Sequence, residues 1–154
     1  MRSALTACIV VTLGGFGLGA QPAYDRTKVE REVMVVLGQF FDAFNHRDAK
    51  AEQSTYHFPH YRLAAGQMSV LDSPGSNTES SLNQIYKDLA AQGWSRSTWT
   101  GRVLQMSPRK VHIGVEVTRY RADGSVMGVF ESLYVLTDEN GKWGIKLRSS
   151  FAER

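Results

Sequence analysis

With 154 residues, 42% of them hydrophobic and 21% charged, the chain has the size and composition of a single globular domain with a core of its own. Its 18 Lys and Arg against 15 Asp and Glu leave a formal charge of +3, but the basic residues are scattered rather than gathered in a stripe, which argues against a nucleic-acid partner. The one cysteine, Cys8, excludes a disulfide framework, and thiol chemistry too if the segment around it is removed.

That segment has the marks of an export signal. Met1 and Arg2 form a short basic start, residues 4–19 are uncharged and rich in small side chains, and Leu18-Gly19-Ala20 ends in the small residue that signal peptidase requires. Residues 1–20 are therefore expected to be a cleaved signal peptide and 21–26 a linker, placing a domain of residues 27–152 in the periplasm or outside the cell. The stretch is too short and glycine-rich for a membrane span, and none is expected. Gly15-Phe16-Gly17-Leu18-Gly19-Ala20 mimics a dinucleotide fingerprint, but Gln21-Pro22 stands where a helix must open. No cofactor is expected.

Thr27 and Glu30 form a capping box, and Val29, Val33, Val36, Leu37, Phe40 and Phe44 recur at helical spacing behind it. The helix stops near Asn45-His46, and Asp48 caps a short second helix through about Ser54. Residues 58–65 and 67–72 predict a hairpin, with Pro59 at the start of its first strand, where a missing N–H is tolerated. A loop over 72–77 leads to a third helix over 78–92, which buries Leu82, Ile85, Tyr86 and Leu89 and ends at Gly93.

From Trp94 onward the pattern is sheet: a long strand to Met106, a turn at Ser107-Pro108-Arg109, and then clean alternation of Val111, Ile113, Val115 and Val117. Three-residue connections at Ala122-Asp123-Gly124 and Glu139-Asn140-Gly141 set Val129, Glu131, Leu133 and Val135 on the face of those valines, beside Ile145, Leu147, Ser149 and Phe151. A two-residue turn at Asp123-Gly124 sets Glu116 opposite Glu131 instead, which like-charge repulsion disfavours. The favoured register leaves Glu131 alone on an apolar face. His112, Glu116, Thr118, Tyr120, Phe130, Tyr134, Lys146 and Arg148 fall on the other face, which suits solvent or a homodimer interface.

This order of elements resembles the SnoaL-like branch of the nuclear transport factor 2-like superfamily. The resemblance spans residues 27–152 and is carried by Phe40-Phe41-Asp42-Ala43-Phe44-Asn45-His46-Arg47-Asp48, by His57-Phe58-Pro59-His60, and by 118–125 with Gly141-Lys142-Trp143-Gly144-Ile145. It implies an α+β fold in which N-terminal helices cover a curled antiparallel sheet, a cone with an internal pocket. It does not imply a reaction, because members include isomerases, dehydratases and noncatalytic binding modules. The general base and oxyanion pair of the steroid isomerases find no counterparts in this sequence.

On the favoured register Glu131 is the candidate general base, its pKa raised by burial, or else a structural carboxylate satisfied by a neighbour. His60 is its candidate catalytic partner. His57, Arg62, Arg119, Trp99, Tyr61 and Ser149 are candidate ligand contacts. Arg119 either clamps an anionic group or neutralises Glu131, and the aromatic residues either line a pocket or are plain core. Two histidines without a third ligand speak against a metal. The preferred function is a small-molecule-binding domain for an apolar or ring-bearing ligand; the alternatives are a cofactor-independent isomerase or dehydratase using Glu131, and a dimerisation or partner-binding module.

Overall fold

A computed structural model of the chain describes residues 23–152, so the expected leader lies outside the described residues. The elements are α1 (Arg26–His46), α2 (Ala49–Ser54), β1 (Tyr56–Ala64), β2 (Gln67–Leu71), α3 (Ser76–Ala91), β3 (Arg96–Met106), β4 (Lys110–Tyr120), β5 (Val126–Glu139) and β6 (Lys142–Ser150). The six strands form one sheet in the order β2-β1-β6-β5-β4-β3. Every neighbouring pair is antiparallel except β1 and β6, which run parallel and are separated in the chain by α3 and four strands. The sheet is thus mixed rather than wholly antiparallel. Among the described residues no helix is long and apolar enough to cross a membrane.

Helix α1 lies over the concave face because its apolar stripe has nowhere else to go: Val33, Leu37 and Phe40 are almost fully buried. At about 1.5–3 kcal/mol for each fully buried large apolar side chain, this stripe is a leading contribution to the core. Its start is capped by Asp25, whose carboxylate accepts the Lys28 amide, two residues earlier than the expected capping box at Thr27. Two long-range ties orient it: Trp143 donates its indole N–H to Glu32, and Asn45 exchanges two hydrogen bonds with the Ser97 backbone, 2.9 and 2.8 Å. Asp48 caps α2 through the Ala51 amide, as expected.

The sheet register corrects the expected one in two places. The Ala122-Asp123-Gly124 connection forms as expected, with the Arg121 amide donating to the Ser125 carbonyl and Gly124 at φ +84°. An irregularity then follows, since Tyr120 pairs with Val126 but Arg119 pairs with Gly128. The extra residue, Met127, turns every later side chain of β5 to the opposite face. Val117 therefore meets Phe130, Val115 meets Ser132 and Ile113 meets Tyr134, while Glu116 lies directly opposite Glu131. At the next hairpin the turn has two residues, not three: Asn140 and Gly141 take φ of +58° and +81°, the conformation the primed turn requires. A second irregularity at Lys146 then brings Arg148 and Ser150 to the concave side, beside Tyr134 and Ser132.

The energetic reason is plain. Two carboxylates facing each other in water cost less than about 1 kcal/mol. One carboxylate without a partner in a core costs several. Glu131 is accordingly exposed on the convex face, and Phe130 and Tyr134, expected outside, are inside.

Candidate functional site

The concave face and α1 enclose a cavity. Phe40, Phe41 and Phe44 form its helical wall, Val117, Phe130 and Tyr134 its apolar sheet wall, and Arg62, Arg119 and Arg148 its charged groups, with Ser97, Ser132 and Ser150 between them. Spacing explains the composition: Phe40 and Phe44 share one helical face and Phe41 flanks it, while Tyr134, Ser132 and Phe130 alternate inward along β5. Phe40 meets Tyr134 edge-on with ring centres 5.5 Å apart, and Phe41 stacks on Trp99 at 5.1 Å.

The interior space is narrow, about 30 Å³, room for roughly one water or a small head group. Arg62, Ile85 and Arg148 belong at the same time to the wall of a wider groove between α3 and the β1–β2 hairpin, about 560 Å³, which Tyr56, His60, Leu71 and Leu82 also line. A small inner chamber therefore shares a wall with a space of ligand size.

Behind the groove lies a polar unit that the sequence analysis missed. Glu52, 1% exposed, accepts hydrogen bonds from the hydroxyls of Tyr56 and of Tyr86, the latter at 2.5 Å. Burial raises the Glu52 pKa, opposed by those two hydrogen bonds and by the charges of Arg148 and Arg62. Arg148 sits against Tyr134, Tyr56 and Glu52; burial works to lower its pKa, but these groups outweigh it and the net shift is upward. Its guanidinium also lies 5.4 Å from the Phe40 ring centre. Arg119, whose guanidinium is 4.8 Å from the Phe130 ring centre, has its pKa lowered to about 10 by burial and then by the Arg148 charge.

Of the residues expected to form the site, Arg62 and Arg119 line the cavity. His60 lines the groove: its Nδ1 lies 2.9 Å from the Ile145 carbonyl, so that nitrogen carries the proton and donates, and its ring stacks on Tyr56 at 3.8 Å. Burial, with Arg148, Arg62 and Lys146 nearby, lowers its pKa to about 4 despite the Ile145 bond, so it is neutral at pH 7 and poorly suited to pairing with an acid. Trp99 packs into the core against Phe41 rather than lining the cavity.

The remaining expectations are corrected. Glu131 faces solvent opposite Glu116. Ser149 pairs with Leu133 on the convex side, and its neighbour Ser150 takes the inward position. Tyr61, next to the inward Arg62, points to the other face by simple alternation. His57 is remote from the cavity, lying against Gly144 with Nδ1 2.9 Å from the Thr137 hydroxyl and 3.5 Å from Glu139. No group of three potential metal ligands occurs among the described residues.

Comparison with known proteins agrees with this architecture. The sequence model of the family described as NTF2-like protein (DUF6841) matches residues 30–148. No curated protein matches the chain. Among solved structures, an NTF-2 like protein of Shewanella oneidensis aligns over 80% of this chain and 99% of its own at 12% identity, with a TM-score of 0.64. ActVI-ORFA of Streptomyces coelicolor aligns over 80% and 94% at 14% identity and a TM-score of 0.64. A ketosteroid isomerase-like protein of Erwinia carotovora atroseptica aligns over 79% and 93% at 17% identity and a TM-score of 0.59. At these identities the likeness is one of fold.

Proposed function

This chain belongs to the NTF2-like family DUF6841, and on that premise we propose that it is a small-molecule-binding domain, acting after export, whose ligand sits between α1 and the concave face of the sheet. The observation that carries the reading is the adjacency of the aromatic inner chamber and the groove beside α3, which share Arg62, Ile85 and Arg148. Such an enclosure suits a compact apolar or ring-bearing compound. Binding is placed ahead of turnover because the carboxylate expected to act as base faces solvent, and the histidine expected to assist it is neutral and hydrogen-bonded to a carbonyl.

The test is native mass spectrometry of protein purified from its own host. A bound compound released on denaturation is the expected result, and an empty protein in every preparation contradicts the reading.

A second reading, self-association through the convex face, is favoured by the apolar side chains exposed there. Val129 is 57% exposed and Leu104 45%, and a shallow depression beside Glu116 and Glu131 is edged by Leu104, Leu133 and Phe151. Sedimentation equilibrium at micromolar concentration is expected to give a dimer; monomer alone, at all concentrations, rules this interface out.

A further inference from the structure

Resting on the reading of the cavity as a ligand site, we propose that its ligand carries a carboxylate, held in the inner chamber by Arg119 and Arg148, with the apolar body of the molecule in the groove beside α3. The cavity lining includes three arginines and no acidic side chain. The Nε atoms of Arg119 and Arg148 are buried and have no hydrogen-bond partner. Two guanidinium groups that repel each other in a water-poor space raise the free energy of the empty protein, and an anion between them removes that penalty.

Compensation from within the chain reaches Arg148, whose pKa Tyr134, Tyr56 and Glu52 raise, but falls short at Arg119, whose pKa burial and the Arg148 charge lower. Tyr56, Tyr86 and Tyr134, which surround the arginines and Glu52, are neutral at pH 7, since burial raises all three pKa values. Glu52 is the one carboxylate among the groups acting most strongly on Arg148, and its two tyrosine donors already occupy its oxygens.

The shape selects the anion. Phe130 and Phe40 lie under the two guanidinium groups and hold them; Arg148 bonds Tyr134 with part of its N–H edge, and the unpartnered Nε–H of each arginine is left to recognise a planar acceptor such as a carboxylate. Ser132 donates to Ser150 at 3.0 Å, so the Ser150 hydroxyl proton remains to donate to the same oxygen pair. A chamber as narrow as this favours a small planar head group such as a carboxylate. Leu71, Leu82 and Ile85 in the groove then meet the apolar body.

Calorimetric titration of the full-length protein with benzoate, benzamide and inorganic phosphate tests this, with Arg119→Gln as the variant, because Arg119, unlike Arg148, is not among the groups acting most strongly on Glu52. Benzoate is expected to bind at least tenfold more tightly than benzamide, and Arg119→Gln to weaken benzoate at least tenfold and so narrow that gap. Equal binding of benzoate and benzamide overturns the carboxylate while the cavity reading stands; phosphate binding more tightly than benzoate overturns the choice of anion. Failure of benzoate to bind also overturns the proposal, and the copurified-ligand measurement then decides separately whether the cavity holds anything. The wild-type comparison of the acid with its amide remains decisive even if the variant fails to fold.

Discussion

Glu52→Ala is expected to lower the free energy of unfolding by about 3–5 kcal/mol, measured by urea denaturation at neutral pH. Glu52 is 1% exposed, and its carboxyl group is the common acceptor for Tyr56 from β1 and Tyr86 from α3. The carboxyl group joins the short helix that carries it to an element on each side. Removing the acceptor strands two phenol hydroxyls, each at roughly 1–3 kcal/mol, and leaves a void where the carboxyl stood. Arg148 also loses its nearest negative group. Glu52→Gln keeps the volume and one acceptor oxygen, so it is expected to lose about 1–2 kcal/mol and remain folded. If Glu52→Ala unfolds within about 0.5 kcal/mol of the parent, the buried unit is not what holds α2, β1 and α3 together.

The second large effect is in pH. His60 protonates near its ordinary value of 6.5 when unfolded but only near 4 in the fold. Between those values the unfolded chain holds a proton that the folded chain does not, so stability falls as pH is lowered from 6.5 to 4 and His60 contributes no further change below that. The shift of about 2.5 units corresponds to roughly 3 kcal/mol, at about 1.4 kcal/mol per unit. His57, whose pKa burial also lowers, acts in the same direction. Glu52 acts in the opposite one, because its raised pKa lets the fold keep a proton that the unfolded chain releases above 4.5. The contribution of His60 is isolated by comparing the parent with His60→Asn, whose amide N–H can replace the Nδ1 donor to Ile145 without titrating. The difference in stability between the two is expected to shift against the parent by up to about 3 kcal/mol on going from pH 7 to 4. A difference that stays constant across that range means that His60 is not held neutral by its surroundings.

The helices were legible in the sequence because their periods are unambiguous: Val29, Val33, Leu37, Phe40 and Phe44 allow one buried face, and Asp48 caps α2 from the position its side chain suggests. On β4, too, alternation of valine and isoleucine with polar residues left one choice. The inner face of β5 was not legible by the same means. Val129, Leu133 and Val135 are no more apolar than Phe130, Tyr134 and Leu136, so period two supports either face, and a single extra residue at Met127 reverses the outcome. The usable signals were Gly128 within a strand, where a bulge is common, and Glu131, which cannot be buried cheaply without a partner. The Asn140-Gly141 pair was a further signal, for a two-residue turn.

These errors account for the site residues found and missed. Arg62 and Arg119 precede the first reversal and were placed on the correct face, whereas Arg148, Ser132, Tyr134 and Ser150 follow it and were not. Glu52 left no trace in the sequence beyond a tyrosine four residues on, because its second partner, Tyr86, comes from a helix that only the folded chain brings near.

The face assignment and the proposed role of the cavity are tested together by ligand occupancy, measured by native mass spectrometry on Glu131→Gln and Arg119→Gln purified from the protein's own host. With Arg119 at the cavity and Glu131 in solvent, Glu131→Gln should carry the copurified compound at the level of the parent and Arg119→Gln should lose most of it. A protein emptied by Glu131→Gln but still loaded after Arg119→Gln would contradict the account.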